Sequence, residues 1–390
     1  MNENLQGIKG RLLGNNITVT VLLVLLAIAP LFLSDFRTNL LGKFIAFAVL
    51  ALGIDLIWGY TGILSLGHGV YFGLGAYCMA MYLKLEASGG KLPDFMSWSG
   101  QETLPWFWKP FAYAPLAIIL SVVVPVVLAL VVGYLTFKNR IKGVYFSILT
   151  QALSIIFVVL FVGQQAFTGG TNGITNFKTI FGLPISASST KVGLYYVALV
   201  VLILSFIFCK WIVRRRIGKV LIAIRDGENR ARFSGYNPAT YKTFVYCISA
   251  GLAGLAGALF VPQVGIISPA EMGIVPSVEM VIWVAIGGRG TLVGAIIGAI
   301  LVNSLKSAVS ESFPAVWSYF IGIMFVAVVI FMPYGLMGLS KQIKEKIRKI
   351  RTIGKDFETG SETNSKIDPK IDSQTKINMI EGLGCDEHVG

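Results

Sequence analysis

Five polar residues lie in or beside interrupted apolar stretches of the chain and could contact a small solute: Asp55, His68, Asn172, Glu271 and Glu279. Carboxylate and amide oxygens accept hydrogen bonds, so most of this set suits a solute rich in N–H groups. An ionisable side chain at membrane depth marks a functional site by default, because burying it without a polar partner is costly. We therefore expect these residues to line a solute pathway.

A structural role for the two glutamates is the alternative interpretation. In that case Glu271 faces external water, and Glu279 pairs with Arg289 in the turn that follows it. Neither carboxylate would then contact the solute.

The patterns of an enzyme active site are missing from the sequence. It contains no phosphate-binding GxxxxGK[ST] loop and no GxSxG nucleophile motif, and neither His68 nor His388 has a second ligand at metal spacing. We therefore expect no catalytic residue, no metal and no cofactor. If ATP is used, another chain must bind it.

A polar segment from Ile217 to Lys242 interrupts the apolar pattern and has helical periodicity. It is too polar to span a membrane and too long for a tight turn, and we expect glycine and proline to end its helix. One interpretation is a solvated connector, and the other is a docking surface similar to the coupling helix of ATP-binding-cassette importers. The residues expected to act in docking are Arg225, Asp226, Glu228, Arg230, Arg232 and Gly235.

The composition of the whole chain explains where these residues must sit. Of its 390 residues 55% are hydrophobic and only 14% are charged, against about 25% charged in soluble domains. A bilayer core needs about 20 consecutive apolar residues per helix. Ten stretches approach this length: 17–33, 40–58, 67–84, 112–137, 144–162, 193–213, 241–261, 269–286, 291–309 and 317–333.

Basic residues predict the orientation of these ten spans. The net charge of +13 could suggest nucleic acid, but lysine and arginine cluster between apolar stretches, as in cytoplasmic loops. With a cytoplasmic N-terminus at 1–16, every strongly basic segment falls inside, whereas nine spans would place Lys341 to Arg351 outside. The sequence therefore predicts a multi-pass inner-membrane protein with both termini cytoplasmic and no nucleic-acid partner.

The predicted fold class is an all-α polytopic membrane bundle of about ten transmembrane segments. Glycine and proline interrupt it near 59–62 and within 269–286, where we expect broken or re-entrant helices. The expected organisation is a transmembrane domain at 17–339, with a cytoplasmic coupling-helix loop at 217–240. A basic, then polar and disordered, cytoplasmic tail follows at 340–390.

Four segments together resemble the LivM family, the second permease of branched-chain amino acid importers driven by ATP-binding cassettes. They are GYTGILSLGH at 59–68, TGGTNGI at 168–174, the loop at 225–242 and GGRGTLVG at 287–294. The resemblance covers residues 40 to 340. Within the family, three segments look most like the urea-transport branch: IRDGENRARFSGYNPATYK, VPQVGIISPAEM and VEMVIWVAIGGRGTLVGA.

The resemblance implies a set of partners and a substrate. The partners would be a second homologous permease subunit, two cytoplasmic ATP-binding subunits, an external solute-binding protein and membrane lipid. The substrate would be urea, with branched-chain amino acids or short-chain amides as alternatives. A self-sufficient urea channel and a membrane enzyme are the competing functional classes.

Overall fold

The computed structural model describes residues 20–89, 91–141, 143–312, 322–323, 326 and 335–337. The expectations for the N-terminus at 1–16, the tenth span at 317–333 and the tail at 340–390 concern residues outside these ranges, apart from isolated positions in the tenth span.

Helices make up nearly all of the described structure. In chain order they are α1 (Thr20–Leu31), α2 (Asp35–Thr61), α3 (His68–Ala87), α4 (Asp94–Trp98), α5 (Ala114–Lys138), α6 (Val144–Gly163), α7 (Gln165–Thr168), α8 (Ser188–Arg214), α9 (Arg216–Phe233), α10 (Pro238–Val264), α11 (Ile274–Gly287) and α12 (Leu292–Ser312). The strands of the described ranges have two residues each: β1 (Ile174–Thr175), β2 (Thr179–Ile180), β3 (Leu183–Pro184) and β4 (Ile266–Ile267). Strand β1 pairs antiparallel with β4, and β2 with β3.

The all-α membrane bundle is confirmed. Six helices of the described ranges are long and apolar enough to cross a membrane, namely α2, α5, α6, α8, α10 and α12, and α1 and α11 are shorter apolar helices. With α3, these helices account for the first nine of the expected spans.

Helix α10 lies at the centre, packed against α2, α3 and α5. In the apolar 18-residue stretches of α2 and α10, 83% and 72% of the residues are buried. In those of α5 and α6, only 28% and 22% are buried. Helices α3 and α10 touch backbone to backbone, because a side chain at Gly75 would overlap Gly254 and one at Gly257 would overlap Phe72. Small residues allow this close approach in a lipid environment.

Both expected interruptions are present. Helix α2 ends at Thr61, where Gly62 has a left-handed φ of 74°, and α3 starts only at His68. The second interruption is a 3-10 turn at Pro269–Met272 followed by the 14-residue α11. At 1.5 Å per residue, α11 is about 21 Å long, which is shorter than the roughly 30 Å core of a bilayer.

The basic segments gather at one end of the bundle, which we call the basic end: residues 138–141, 214–242 and 287–290. The end of α2, the α5–α6 turn and α9 surround one cavity of about 220 Å³ there, and the Gly290 N–H bonds to Asp55. The opposite end, called the loop end, carries residues 88–113, 164–187 and 265–273. Which end faces the cytoplasm stays a prediction.

Candidate functional site

A cavity of about 500 Å³ lies between α2, the 3-10 turn at Pro269–Met272, α11 and α12, and we call it the α2–α12 cavity. Its apolar lining consists of Phe36, Leu40, Phe44, Phe47, Pro276, Met280 and Trp283. Its polar lining consists of Lys43, Glu271, Glu279, Asn303, Lys306, Ser307, Ser310 and Glu311. An apolar cavity with converging polar groups is the usual form of a small-molecule site.

An ion pair connects two of the helices that form this cavity. Lys306 Nζ on α12 lies 2.7 Å from Glu279 Oε2 on α11, and the two side chains are 35% and 14% exposed. Arg289 instead places its guanidinium 5.7 Å from the ring centroid of Trp58. The partner of Glu279 is therefore Lys306 and not Arg289.

Lys43 and Glu271 bring a second pair of opposite charges to the same cavity. Lys43 Nζ lies 5.6 Å and 5.5 Å from the ring centroids of Phe47 and Phe260, within cation–π range. The carboxylates accept hydrogen bonds and the ammonium groups donate them. Such a lining can bind a small neutral or zwitterionic solute that carries both donors and acceptors.

The other three predicted pathway residues lie elsewhere. Asp55 is fully buried at the basic end, where its Oδ1 accepts the Gly290 N–H at 2.5 Å. His68 is fully buried in the core, with Nε2 2.7 Å from Ser249 Oγ. Asn172 is exposed at the loop end and lines a separate cavity. The structure therefore unites Glu271 with Glu279 and separates the rest.

Lys43 and Lys306 were not among the residues predicted from the sequence. A signal for both was present, because each lysine stands inside an expected span, at 40–58 and at 291–309. The rule that ionisable residues at membrane depth mark functional sites applies to them as much as to the glutamates.

The predicted coupling segment forms a helix with a kink. Helix α9 runs over Arg216–Phe233, and Gly227 within it has non-helical angles, φ −173° and ψ 79°. Before the kink, Arg225 Nη1 donates to the Gly59 carbonyl at 2.8 Å. After the kink, Glu228 Oε2 accepts from Lys242 Nζ at 2.8 Å. The two halves of α9 therefore attach to different helices, α2 and α10.

The charged residues next to the kink also bond to one another. Arg225 also donates to Asp226 at 2.9 Å, and this bond lowers the pKa of the Asp226 carboxyl. Arg232 lies 3.4 Å from Glu228, and Arg230 donates to the Asp226 carbonyl at 3.1 Å. These bonds hold the kinked helix in one shape.

An exposed knob joins α9 to α10, and we define it by Arg230, Arg232, Phe233, Ser234, Gly235 and Tyr236. Phe233 is 92% exposed and Tyr236 is 45% exposed. Gly235 has φ +86°, which lets the chain turn sharply between the helices. Aromatic and arginine residues are enriched at protein interfaces, and the knob presents both types. Phe233 was not among the predicted docking residues, although an aromatic residue within a charged segment is a signal for one.

A metal site is not found in the part of the chain that the structure describes. There, no three histidine, cysteine, aspartate or glutamate side chains are grouped so that they could hold an ion.

Comparison with known proteins identifies relatives that cover most of the chain. The family described as the permease component of a branched-chain amino acid transport system matches residues 36–329. The high-affinity branched-chain amino acid transport system permease protein LivM of Salmonella typhimurium is 26% identical over 365 residues, 88% of this chain and 80% of that protein. LivM of Escherichia coli is 26% identical over 367 residues, with the same coverage.

Another relative matches over a shorter length. The autoinducer 2 import system permease protein LsrC of Salmonella paratyphi B is 27% identical over 206 residues, 49% of this chain and 59% of that protein. No solved structure matches the chain.

Proposed function

Because this chain belongs to the family of branched-chain amino acid transport system permease components, we propose that it is the permease subunit of an ATP-driven importer of urea. The family consists of transport subunits rather than enzymes. Its membership and the six long apolar helices make the chain a multi-pass inner-membrane protein. The proposed partners are a second permease, two ATP-binding subunits and an external solute-binding protein.

The observation that carries the ATP-driven part is the knob between α9 and α10. Phe233 is 92% exposed, and aromatic and arginine anchors dominate the energy of protein interfaces. At the same time α9 is bonded to α2 and to α10. A partner that moves the knob would therefore move helices of the bundle. A self-sufficient channel has no need of such a surface.

The α2–α12 cavity supports a small polar solute. Urea offers four N–H donors and one carbonyl acceptor, so it leaves water at modest cost only where these groups are satisfied. Glu271, Glu279 and the Asn303 side chain can accept from the N–H groups, and Lys43 or Lys306 can donate to the carbonyl. We propose urea rather than another small solute because the amino-acid sequence of residues 224–242 resembles that of the urea-transport branch.

Branched-chain amino acids are the second candidate. The LivM relatives are named for them. The cavity also pairs charges of both signs with an aromatic wall of Phe44, Phe47 and Trp283, which suits a zwitterion with an aliphatic side chain. Short-chain amides would use the same acceptors as urea.

Uptake of labelled urea and labelled leucine tests the proposal in cells that lack the gene and in complemented cells. The complementing chains are the wild type, the double variant Arg230→Glu with Arg232→Glu, and Lys219→Glu, which reverses an exposed charge of α9 outside the knob. We expect energy-dependent urea uptake with the wild type and Lys219→Glu, and none with the double variant.

The contrary outcomes are equally clear. Restored leucine uptake without urea uptake would identify a branched-chain amino acid, rather than urea, as the substrate. Urea flux that persists without ATP or without partner subunits would show that the protein is a self-sufficient channel rather than an importer subunit. Membrane levels of each variant are measured by immunoblotting, so that loss of protein is not read as loss of transport.

A further inference from the structure

Asp55 is a buried carboxylate that the α2–α12 cavity does not use. It is 0% exposed, Oδ1 accepts the Gly290 N–H at 2.5 Å, and Oδ2 has no hydrogen-bond partner among the described residues. Burying a carboxylate with a single hydrogen bond opposes folding, so a role for Asp55 at this position would explain why it is there. The geometry around it indicates what that role is.

The turn between α11 and α12 is held on the last turns of α2. Besides the bond to Asp55, the Tyr60 hydroxyl donates to the Gly290 carbonyl at 3.1 Å. The Arg289 guanidinium covers the Trp58 ring. No side chain fits at Gly59, because the Gly290 backbone occupies the space where its Cβ would be. These contacts fasten the α11–α12 turn to α2.

The same part of α2 is also held by α9. Arg225 Nη1 donates to the Gly59 carbonyl at 2.8 Å, and the aliphatic part of Arg225 lies 3.1 Å from the position a Cβ at Gly62 would take. Residues 55–62 therefore lie between the proposed coupling helix and the α11–α12 turn.

The bonds at Gly290 join α2 to the turn between α11 and α12, and these three helices line most of the α2–α12 cavity. We infer that Asp55 is a positioning residue, which with Tyr60 fixes the α11–α12 turn to α2 so that a movement of α9 changes the cavity. This inference rests on the proposed function. It assigns Asp55 to the link between ATP use and the cavity, and it removes Asp55 from the solute pathway.

The test uses the reconstituted complex with its partner subunits and two measurements. The first is solute taken up per ATP hydrolysed. The second needs no knowledge of the solute: Ser307, which lines the cavity, is changed to cysteine, and its rate of labelling by a charged thiol reagent is compared with and without ATP.

Four variants make the test specific. Asp55→Ala removes the acceptor for Gly290, whereas Asp55→Asn keeps one acceptor oxygen and replaces the other, unbonded oxygen by an uncharged NH2 group. Tyr60→Phe removes the bond to the turn. Tyr71→Phe is the matched control, because it removes a buried hydroxyl that bonds to Tyr246 in the core, 2.6 Å away.

We expect Asp55→Ala and Tyr60→Phe to hydrolyse ATP at wild-type rates but to transport about fivefold less solute per ATP, the factor for one lost hydrogen bond. The ATP-dependent change in labelling of the cysteine should also disappear. Asp55→Asn and Tyr71→Phe should behave as wild type. Arg225→Ala combined with Asp55→Ala should be no worse than either alone, because both act on one link.

Several results would overturn the inference. One is an unchanged ratio of transport to hydrolysis in Asp55→Ala, and another is an equal loss in Tyr71→Phe, which would indicate a packing effect. A loss of transport per ATP in Asp55→Asn would show that the charge of Asp55 is needed, and would place Asp55 in the solute pathway again. If labelling in the wild-type background does not respond to ATP, the proposed function itself fails, and that outcome is visible before any variant is compared.

Discussion

Replacing Phe233 by alanine should weaken binding of the ATP-binding subunits without affecting the fold of the permease. The side chain is 92% exposed in the chain alone, so the free protein loses almost no buried contact, and an exposed substitution changes stability by no more than about 0.5 kcal/mol. In a complex, full burial of a phenylalanine contributes about 1.5 to 3 kcal/mol. At 1.4 kcal/mol per factor of ten, the dissociation constant should rise between about 10-fold and 150-fold.

The assay is binding of purified ATP-binding subunits to the permease in nanodiscs, with thermal unfolding measured in parallel. Trp98→Ala is the matched control, since Trp98 is an aromatic residue 85% exposed at the loop end. It should leave the dissociation constant unchanged. Wild-type affinity in Phe233→Ala, with an unchanged melting temperature, would refute the assignment of the knob as the docking surface.

Three further outcomes follow from the described contacts. Gly59→Ala should destabilise the protein by about 1–3 kcal/mol, because its Cβ would meet the backbone of the α11–α12 turn. The control Gly193→Ala on α8 has open space around the new Cβ and should stabilise the protein by about 0.5–1 kcal/mol. Melting temperatures in detergent compare the two variants. Glu279→Lys and Lys306→Glu should each lower uptake at least about tenfold, and the double exchange should restore most of it, as uptake assays would measure, because the 2.7 Å pair re-forms with reversed polarity. Asn172→Ala should leave uptake within about twofold, because Asn172 lies outside the α2–α12 cavity and an exposed amide contributes little; a larger loss would return Asn172 to the pathway.

The elements that the sequence predicted are those with a local cause. Apolar length predicted the long helices. The glycines at 59 and 62 predicted an interruption there, and α2 ends where Gly62 takes the left-handed conformation that commonly follows a helix. The helical periodicity of the polar segment after Ile217 predicted α9, which runs over Arg216–Phe233. The kink at Gly227 was not predicted, since a φ of −173° is extended backbone that any residue can adopt.

The candidate site was predicted only in part, because its neighbours are distant in sequence. Asp55 and Gly290 are 235 positions apart, and nothing near Asp55 in the sequence indicates a turn as its partner. The acceptors Glu271 and Glu279 were predicted, whereas Lys43 and Lys306, which supply the positive charges of the cavity, were not. Tertiary packing decides which polar residues meet.

The backbone contact between α3 and α10 has a consequence for how motion is distributed. Because no side chain separates Gly75 from Gly254 or Phe72 from Gly257, these two helices have no flexible layer across which to slide. Interiors packed in this way resist continuous deformation. Helices α3 and α10 should therefore exchange their amide hydrogens slowly and behave as one rigid frame. The shorter α11, interrupted at its start and held through its turn, should exchange faster and move against that frame.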